Sequence, residues 1–220
     1  MTHRRVHFIV ISAALLACSA AWSCSDTTST GDAGSGDSGG ADTSVGADTS
    51  VGPDTSVQDS GGTRLTARAT IGPTSDGGTV KGTATFVEEN GAVTAVVEIS
   101  GSTPGPHGLH IHAGNNCDPT PTDGGVTPGG GAGGHWNPTD AGHAFPDAAA
   151  HHYGDMGNII MDGTGSGSLT MKSTNWRVAE GPSSVVGHAI VFHQDPDDGV
   201  TQPTGASGAR PGCGVIQRVP

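Results

Sequence analysis

Histidines with the spacing of a β-strand stand near the middle of the chain. The segment Gly105–His112 has the sequence Gly-Pro-His-Gly-Leu-His-Ile-His. Residues i and i+2 of a strand face the same side, so His110 and His112 can chelate one metal ion, whereas His107 belongs to the other face. Two histidines on a solvated strand mean little by themselves, so the pair indicates a metal site only together with further ligands.

Further candidate ligands follow in a segment rich in Gly, Pro and Asp: His135, His143, His152 and Asp155. Three imidazoles and one carboxylate make a closed, four-coordinate zinc site. Later in the chain, His193 ends the apolar segment Val185–Phe192. A lone histidine at a strand end is usually structural, but the His110/His112 pair makes His193 a further candidate ligand.

These ligands need a scaffold, and the composition places it in the C-terminal part of the chain. Of 220 residues, 38 are glycine and only 4% are aromatic, which is too few aromatics for one packed domain of this length. Residues 1–24 are apolar behind a basic start, residues 25–63 are Ser, Thr, Gly and Asp, and strand patterning begins near Arg64. We predict one domain at 64–220, a size that buries about 68–70% of the unfolded surface.

The domain is predicted to be all-β. Its segments are short, rich in β-branched residues and separated by glycine turns, and none keeps a helical period for ten residues. We predict an eight-stranded Greek-key β-sandwich or barrel with long metal-binding loops. The candidate strands are 65–71, 80–87, 92–100, 108–112, 158–161, 167–171, 185–192 and 214–219.

The charge of this domain excludes two classes of partner. It contains seven Lys or Arg and fourteen Asp or Glu. The absence of a basic patch argues against nucleic acid and against electrostatic docking on an anionic membrane. The sequence leaves the oligomeric state open.

Residues 1–24 have the build of a signal peptide. A positively charged start is followed by the apolar segment Phe8–Leu16. The wider segment Val6–Trp22 is 17 residues long and contains His and Ser, so it is short of the ~20 apolar residues that a membrane span needs. We therefore predict export to the periplasm or cell envelope.

Cys18 and Cys24 are both candidates for an N-terminal lipid. The segment Leu15-Leu16-Ala17-Cys18 begins with the Leu of a bacterial lipobox, which Ala21-Trp22-Ser23-Cys24 lacks. Acylation of Cys24 would instead remove Cys18 with the signal peptide and leave Cys117 and Cys213 as an even pair. Acylation of either Cys predicts a lipoprotein attached to a membrane, and whether Cys18, Cys24 or neither carries a lipid stays open.

Residues 25–63 contain a weak six-residue repeat, Ala-Asp-Thr-Ser-Val-Gly at 41–46 with related copies at 47–52 and 53–58. A period of six residues is compatible with a β-helix, but three copies with one Val each are too few to bury an apolar core. We predict a disordered spacer. As a flexible coil, 39 residues have an end-to-end distance of roughly 35 Å, which suits a domain held off a membrane.

Taken together, the domain resembles the copper/zinc superoxide dismutase family over nearly all of 65–217. The matching motifs are Gly-Pro-His-Gly-Leu-His-Ile-His (105–112), Gly-Gly-His-Trp-Asn-Pro (133–138), His-Tyr-Gly-Asp-Met-Gly-Asn-Ile (152–159), Val-Gly-His-Ala-Ile-Val-Phe-His (186–193) and Gly-Ala-Arg-Pro-Gly-Cys-Gly-Val-Ile (208–216). This family has a β-sandwich fold, which agrees with the strand pattern.

The resemblance implies a role for each motif residue. The implied copper ligands are His110, His112, His135 and His193. The implied zinc ligands are His135, His143, His152 and Asp155, with His135 bridging the two metals. Asp197 matches the carboxylate that links a copper ligand to a zinc ligand, and such partners fix the orientation of the imidazoles. Arg210 matches the cation that receives superoxide, and Cys117 and Cys213 match a disulfide, as suits an exported protein.

The implied activity is the disproportionation of superoxide to oxygen and hydrogen peroxide by Cu(II)/Cu(I) cycling. The resemblance makes His135 a proton carrier as well as a ligand. The segment between His193 and Arg210 departs from the familiar animal enzymes, because it is short and holds three Asp and no Lys. Guidance of the anion by nearby lysines is therefore not expected.

Two other hypotheses use the same residues without turnover. The chain would be a non-catalytic copper/zinc-binding envelope lipoprotein for metal storage or delivery, or a structural surface lipoprotein that keeps the sandwich as a scaffold. The storage or delivery hypothesis predicts a missing copper ligand or a missing Arg210. The scaffold hypothesis predicts that metal ligands have been replaced by other residues. All seven ligands and Arg210 are present, which favours the enzyme.

Overall fold

The computed structural model describes residues 64–220. The predicted signal peptide at 1–24, the predicted linker at 25–63 and both candidate lipid sites lie outside the described residues. Within 64–220, no helix is long and apolar enough to cross a membrane.

Eleven strands and one short 3₁₀ helix make up the described part of the chain. The strands are β1 Leu65–Pro73, β2 Lys81–Glu89, β3 Ala92–Ser100, β4 Gly105–His112, β5 Thr120–Thr122, β6 Gly125–Thr127, β7 Asp155–Met161, β8 Ser166–Ser173, β9 Ala189–Phe192, β10 Gly212–Val215 and β11 Gln217–Arg218. The 3₁₀ helix is Gly130–Ala132. The all-β prediction is confirmed.

Eight of these strands form one antiparallel sheet in the order β7-β4-β9-β10-β1-β2-β3-β8. Strand β1 joins the two halves, because Leu65–Ile71 pairs with β2 while Gly72 pairs with Cys213 of β10. Among residues 64–220 no ladder joins β7 to β8, so the barrel is nearly closed. The short strand β11 adds to the outer edge of β1.

The hairpin of β2 and β3 shows how local sequence sets this register. Asn90 and Gly91 both have positive φ, at 51° and 75°, which is the backbone of a two-residue type I′ turn. The turn places Glu89 opposite Ala92. Along β3, Val93, Ala95, Val97 and Ile99 then point into the core while the residues between them point outward.

Strand β4 is buried on both faces, and one of these faces carries two of the candidate metal ligands. Leu109 and Ile111 enter the core between the two halves of the barrel and are fully buried. His110 and His112 lie on the opposite face and are fully buried as well. Two long connections cover that face, residues 113–154 between β4 and β7 and residues 193–211 between β9 and β10.

The first connection is anchored by a disulfide to β10. Cys117 forms a disulfide with Cys213 of β10, with an S–S distance of 2.03 Å, as the resemblance implied. Beyond it, β5 and β6 form a small hairpin that the strand pattern did not predict. The hairpin is closed at its base by a bond from the Gly131 N–H to the Asp118 carbonyl (2.8 Å).

Two predicted strands are wrong in extent. The predicted strand Val185–Phe192 is shortened to Ala189–Phe192, because Gly187 takes φ 90° in a turn just before the strand. The predicted strand 214–219 is divided into β10 and β11. Between them, Ile216 leaves the ladder and bonds to the main chain of Gly187 and His188 instead.

On the other side of the barrel, a carboxylate fixes the connection between β8 and β9. Glu88 Oε2 accepts hydrogen bonds from the N–H groups of Val178 (2.6 Å) and Ala179 (2.9 Å). Trp176, just before them, is fully buried and packs edge-on against Phe86 with ring centroids 6.0 Å apart. This connection therefore covers part of the core, and the Trp176 indole N–H donates to the carbonyl of Tyr153 (2.7 Å), next to His152.

Candidate metal centre

Four histidines from three parts of the chain meet on the outer face of β4, and we call them the first quartet: His110, His112, His135 and His193. The first two point the same way from β4, and β9 pairs with β4 so that His193 follows next to them. His135 comes from the long connection and is held by an isolated β-bridge to His112. One ring nitrogen of each lies within 4.8 Å of the others, and all four residues are buried.

The hydrogen bonds of the first quartet fix which ring nitrogens carry protons. His112 Nδ1 donates to the Gly133 carbonyl (2.9 Å) and His193 Nδ1 faces the Gly208 carbonyl (3.4 Å). A carbonyl only accepts, so in the neutral rings both protons sit on Nδ1. The two Nε2 atoms are then bare lone pairs, and they lie 3.2 Å apart. Two lone pairs at that distance need a cation between them.

Two further atoms point to the same conclusion. His110 Nδ1 and His135 Nε2 are buried and have no hydrogen-bond partner. Leaving buried polar atoms unpaired costs free energy, so such atoms require an explanation. A metal ion bound by the first quartet would satisfy both. Imidazole is a ligand that suits copper as well as zinc, so the donor set fits copper.

The second quartet consists of His135, His143, His152 and Asp155, and it shares His135 with the first. Asp155 begins β7 and is fully buried. Its Oδ1 lies 2.9 Å from His135 Nδ1, 3.0 Å from His143 Nδ1 and 3.3 Å from His152 Nδ1. Three imidazoles around one carboxylate oxygen are the donor set of a closed zinc site. His135 therefore turns Nδ1 to the second quartet and Nε2 to the first.

Asp197, a buried carboxylate that belongs to neither quartet, connects the two quartets. Asp197 accepts from His110 Nε2 through Oδ2 (2.8 Å) and from His143 Nε2 through Oδ1 (2.9 Å). These bonds place the protons on Nε2 and leave the Nδ1 atoms of both rings free to bind metal. The Asn158 side chain holds the backbone of Asp197. The Asp197 N–H donates to Asn158 Oδ1 (2.7 Å), and Asn158 Nδ2 donates to the Asp197 carbonyl (2.8 Å).

Burial keeps three rings of the first quartet neutral. Removal from water lowers the pKa of His110 and of His112 well below the usual 6.5, and neighbouring imidazoles act in the same direction. The same cause lowers the pKa of His193 to about 4. These three metal-free rings therefore stay unprotonated at neutral pH, which is the form that binds metals.

In the second quartet, hydrogen bonds and charges compete with burial. Burial would raise the pKa of Asp155, but its hydrogen bond with His135 and the neighbouring histidines outweigh burial and lower it. Burial would lower the pKa of His143, but Asp197 and Asp155 outweigh it and raise it. Burial lowers the pKa of His152. The carboxylate is therefore ionised and ready to bind a cation.

Arg210 stands beside the first quartet, just before β10. Its Nη1 donates to the Gly129 carbonyl (3.1 Å), and its own carbonyl accepts from Thr74 Oγ1 (2.5 Å). Desolvation lowers its pKa, and its charge helps to lower the pKa of His112 and His193. It lines a cavity of about 340 Å³ whose rim includes Val126 of the β5–β6 hairpin. A small anion that enters this cavity meets a guanidinium next to the histidines.

The predicted metal ligands, Asp197 and Arg210 all lie in or beside this centre, whereas the predicted disulfide Cys117–Cys213 joins the long connection to β10. His107, assigned to the opposite face of β4, is indeed apart from it: the ring stacks on Phe192 at 4.9 Å and its Nδ1 faces the His193 carbonyl at 3.0 Å. Sequence reasoning missed Asn158 and Gln202, whose side-chain amides grip the backbone of Asp197 and His143. No local signal identifies them, because each bond joins parts of the chain far apart in sequence.

An antiparallel β-barrel with two buried four-ligand sites that share one imidazole defines a two-metal β-barrel protein. Residues 80–216 match the family model described as copper/zinc superoxide dismutase (SODC). The chain belongs to the copper/zinc superoxide dismutase family, and copper and zinc are its cofactors.

Two relatives show the extent of the similarity. The chain is 43% identical to superoxide dismutase [Cu-Zn] of Deinococcus radiodurans over 148 residues, which cover 64% of this chain and 80% of the relative. It is 37% identical to superoxide dismutase [Cu-Zn] 2 of Brassica juncea over 144 residues, covering 62% of this chain and 89% of the relative.

Among solved structures, the crystal structure of the clock protein EA4 is similar. It superposes with a TM-score of 0.59 at 29% sequence identity, and the match covers 69% of this chain and 93% of that one. The barrel is therefore shared between this chain and that protein.

Proposed function

We propose that this chain disproportionates superoxide to oxygen and hydrogen peroxide, with copper held by the first quartet and zinc by the second. The observation that carries the proposal is the set of bare ring nitrogens turned inward in the first quartet, two of them 3.2 Å apart and two others buried without a partner. In the second quartet, three imidazole nitrogens surround one carboxylate oxygen. Membership of the superoxide dismutase family supplies the reaction.

The chain's own residues divide the work. Bound copper supplies the one-electron oxidation of one superoxide and the one-electron reduction of the next, while zinc is redox-silent. His135 Nε2 is a buried nitrogen without a protein partner, so it can hold a proton there and deliver it to the reduced oxygen species. The second quartet would hold the ring through Nδ1, which lies 2.9 Å from Asp155 Oδ1, while Nε2 changes state.

Arg210 is proposed to receive the anion. It lines the cavity beside the first quartet, and its guanidinium stays charged because even a lowered arginine pKa lies far above neutral. The Gly129 carbonyl fixes one nitrogen of the fork at 3.1 Å, which orients the other donors. A positive group held in this way attracts superoxide and orients it next to the histidines.

The test is superoxide removal by the full chain loaded with copper and zinc. We expect activity in the wild type, its loss in His193→Ala, and a fall in kcat/KM of about tenfold in Arg210→Ala. Arg218→Ala, on strand β11, is the matched control and should keep the wild-type rate. If the wild type binds both metals and removes superoxide no faster than buffer, the enzyme assignment is wrong and metal storage or delivery replaces it.

We also propose that the protein is exported to the periplasm or cell envelope and held there by a lipid on Cys18 or Cys24. The support is the sequence of residues 1–24 and the spacer composition of residues 25–63. Mass spectrometry of the mature protein, with Cys18→Ala and Cys24→Ala compared after membrane fractionation, tests this. A soluble, unprocessed wild-type chain would contradict the proposal.

A further inference from the structure

The backbone of His143 lacks the support that strands give three of the other ligands. His143 lies in the irregular part of the 113–154 connection, outside any ladder. By contrast, His110 and His112 sit within β4, and Asp155 begins β7. A ligand on an irregular segment needs other bonds to fix both its main chain and its ring.

A glutamine supplies these main-chain bonds. Gln202 Oε1 accepts from the His143 N–H (2.7 Å), and Gln202 Nε2 donates to the His143 carbonyl (2.8 Å). The side-chain amide thus takes the place of a neighbouring strand. The orientation of the amide is fixed, because a backbone N–H must meet the oxygen and a backbone carbonyl must meet the nitrogen.

Gln202 belongs to the same loop as the carboxylate that holds the His143 ring. Asp197 reaches His143 Nε2 at 2.9 Å, five positions earlier in the loop. One segment, residues 197–205, therefore holds one zinc ligand at two independent points, the ring and the main chain.

The segment is itself closed and rigidly placed. The Asp198 N–H donates to the Gly205 carbonyl (3.0 Å), and the Asp198 carboxylate accepts from the N–H groups of Val200 and Thr201 (3.0 and 2.8 Å). At Gly205, φ is 65°, and a Cβ would overlap Asp197 Oδ1 and lie 2.6 Å from His143 Nε2. The loop backbone at Gly205 is thus packed directly against Asp197 and His143.

We propose that Gln202 is a positioning residue of the zinc site, which fixes the main chain of His143 so that zinc is bound tightly and released slowly. The inference rests on the proposed assignment of zinc to the second quartet. Residues that orient metal ligands typically contribute 10–100-fold to metal affinity. Because Gln202 is bonded to the main chain, its loss should loosen the ligand without removing any donor atom.

The test uses Gln202→Met, which keeps the length of the side chain and removes both hydrogen bonds. Gln217→Met, at an exposed position on β11, is the matched control. Zinc affinity is measured on the full chain by competition with a chelator. Cobalt(II) placed in the zinc site reports the ligand geometry through its visible spectrum. We expect a roughly tenfold loss of zinc affinity and a changed cobalt spectrum in Gln202→Met, with neither effect in the control.

A second measurement separates positioning from general stability. Gln202→Met should lower the thermal stability of the metal-free protein somewhat, because two hydrogen bonds to the His143 main chain are lost, and should lower that of the zinc-loaded protein more. Zinc affinity within twofold of the wild type overturns the proposal, and so does an equal destabilisation of the metal-free and metal-loaded forms. A wild type whose zinc affinity depends on Gln202 but that removes no superoxide would overturn the proposed function and leave this inference standing.

Discussion

Asp197 Oδ2 accepts a hydrogen bond from His110 Nε2 over 2.8 Å, with both side chains wholly removed from solvent. The other oxygen of the same carboxylate bonds His143, so a ligand of the first quartet and a ligand of the second share one anchor. The two metal sites are therefore linked twice, through the His135 ring on one side and through Asp197 on the other.

Removing the Asp197 carboxylate should weaken zinc binding. In Asp197→Ala, His110 and His143 lose the acceptors that hold their Nε2 protons, so either ring can bind through the wrong nitrogen or turn away. We expect a loss of zinc affinity of about 10–100-fold, measured by chelator competition. Asp195→Ala, at an exposed position in the same loop, is the control. Equal zinc affinity in the two variants would show that the anchor is unnecessary.

A positive charge at the rim of the Arg210 cavity should speed the reaction. Val126 is 61% exposed on β6 and lines that cavity, in which Arg210 is the only charged residue among the described lining residues. Val126→Lys should raise kcat/KM about threefold at low ionic strength, because an added charge steers the anion, and the gain should fade with salt. Val219→Lys, near the C-terminus and away from the cavity, should give no gain. A gain that is independent of salt would rule out steering.

The metal-free protein should lose stability in acid over a defined range. Burial lowers the pKa of His193 from 6.5 to about 4 and lowers those of His110, His112 and His152 in the same direction. Between pH 6.5 and 4 the unfolded chain therefore binds more protons than the folded one, so stability rises with pH across this range. His143, whose pKa is raised, opposes the trend but stands alone.

Urea unfolding of the metal-free full chain at pH 4.5, 5.5 and 7 measures this dependence. We expect the free energy of unfolding to increase at each step. A free energy that is flat or falls between pH 4.5 and 7 would mean that the buried histidines take up protons in the folded state.

The Glu88 carboxylate should contribute measurably to the fold. It accepts two N–H bonds from residues 178 and 179 and is largely buried, so Glu88→Ala leaves two amide donors without a partner. We expect a loss of about 2 kcal/mol in the free energy of unfolding. Glu89→Ala removes only the exposed pair with Arg64 and should change it by less than about 1 kcal/mol. Similar losses in the two variants would contradict the role given to Glu88.

The sequence predicted the parts of the centre that depend on local geometry. The i and i+2 positions of His110 and His112 predicted a shared face, and the structure places them so. The glycine turn predicted between strands 80–87 and 92–100 is the β2–β3 turn at Asn90 and Gly91. Resemblance to the family, rather than spacing, supplied the pairing of His193 with the β4 histidines and the role of Asp197.

What the sequence did not predict depends on contacts between distant segments. Gln202 has no motif of its own, and its role appears only when the 193–211 loop lies against His143. The β5–β6 hairpin has three-residue strands with a Pro and a Gly in them, too short for a periodic signal. Gly187 broke a predicted strand because a positive φ in a turn outweighed the apolar pattern that follows it.

The β5–β6 hairpin also offers a place to insert foreign sequence. Its base is fixed by the Cys117–Cys213 disulfide and by the bond from Gly131 to Asp118, and its tip at Asp123 and Gly124 is exposed with open space around the glycine. Insertions succeed at exposed loop tips whose ends are fixed. A peptide tag or a small binding module spliced between Asp123 and Gly124 would be displayed on the barrel with both metal quartets left intact.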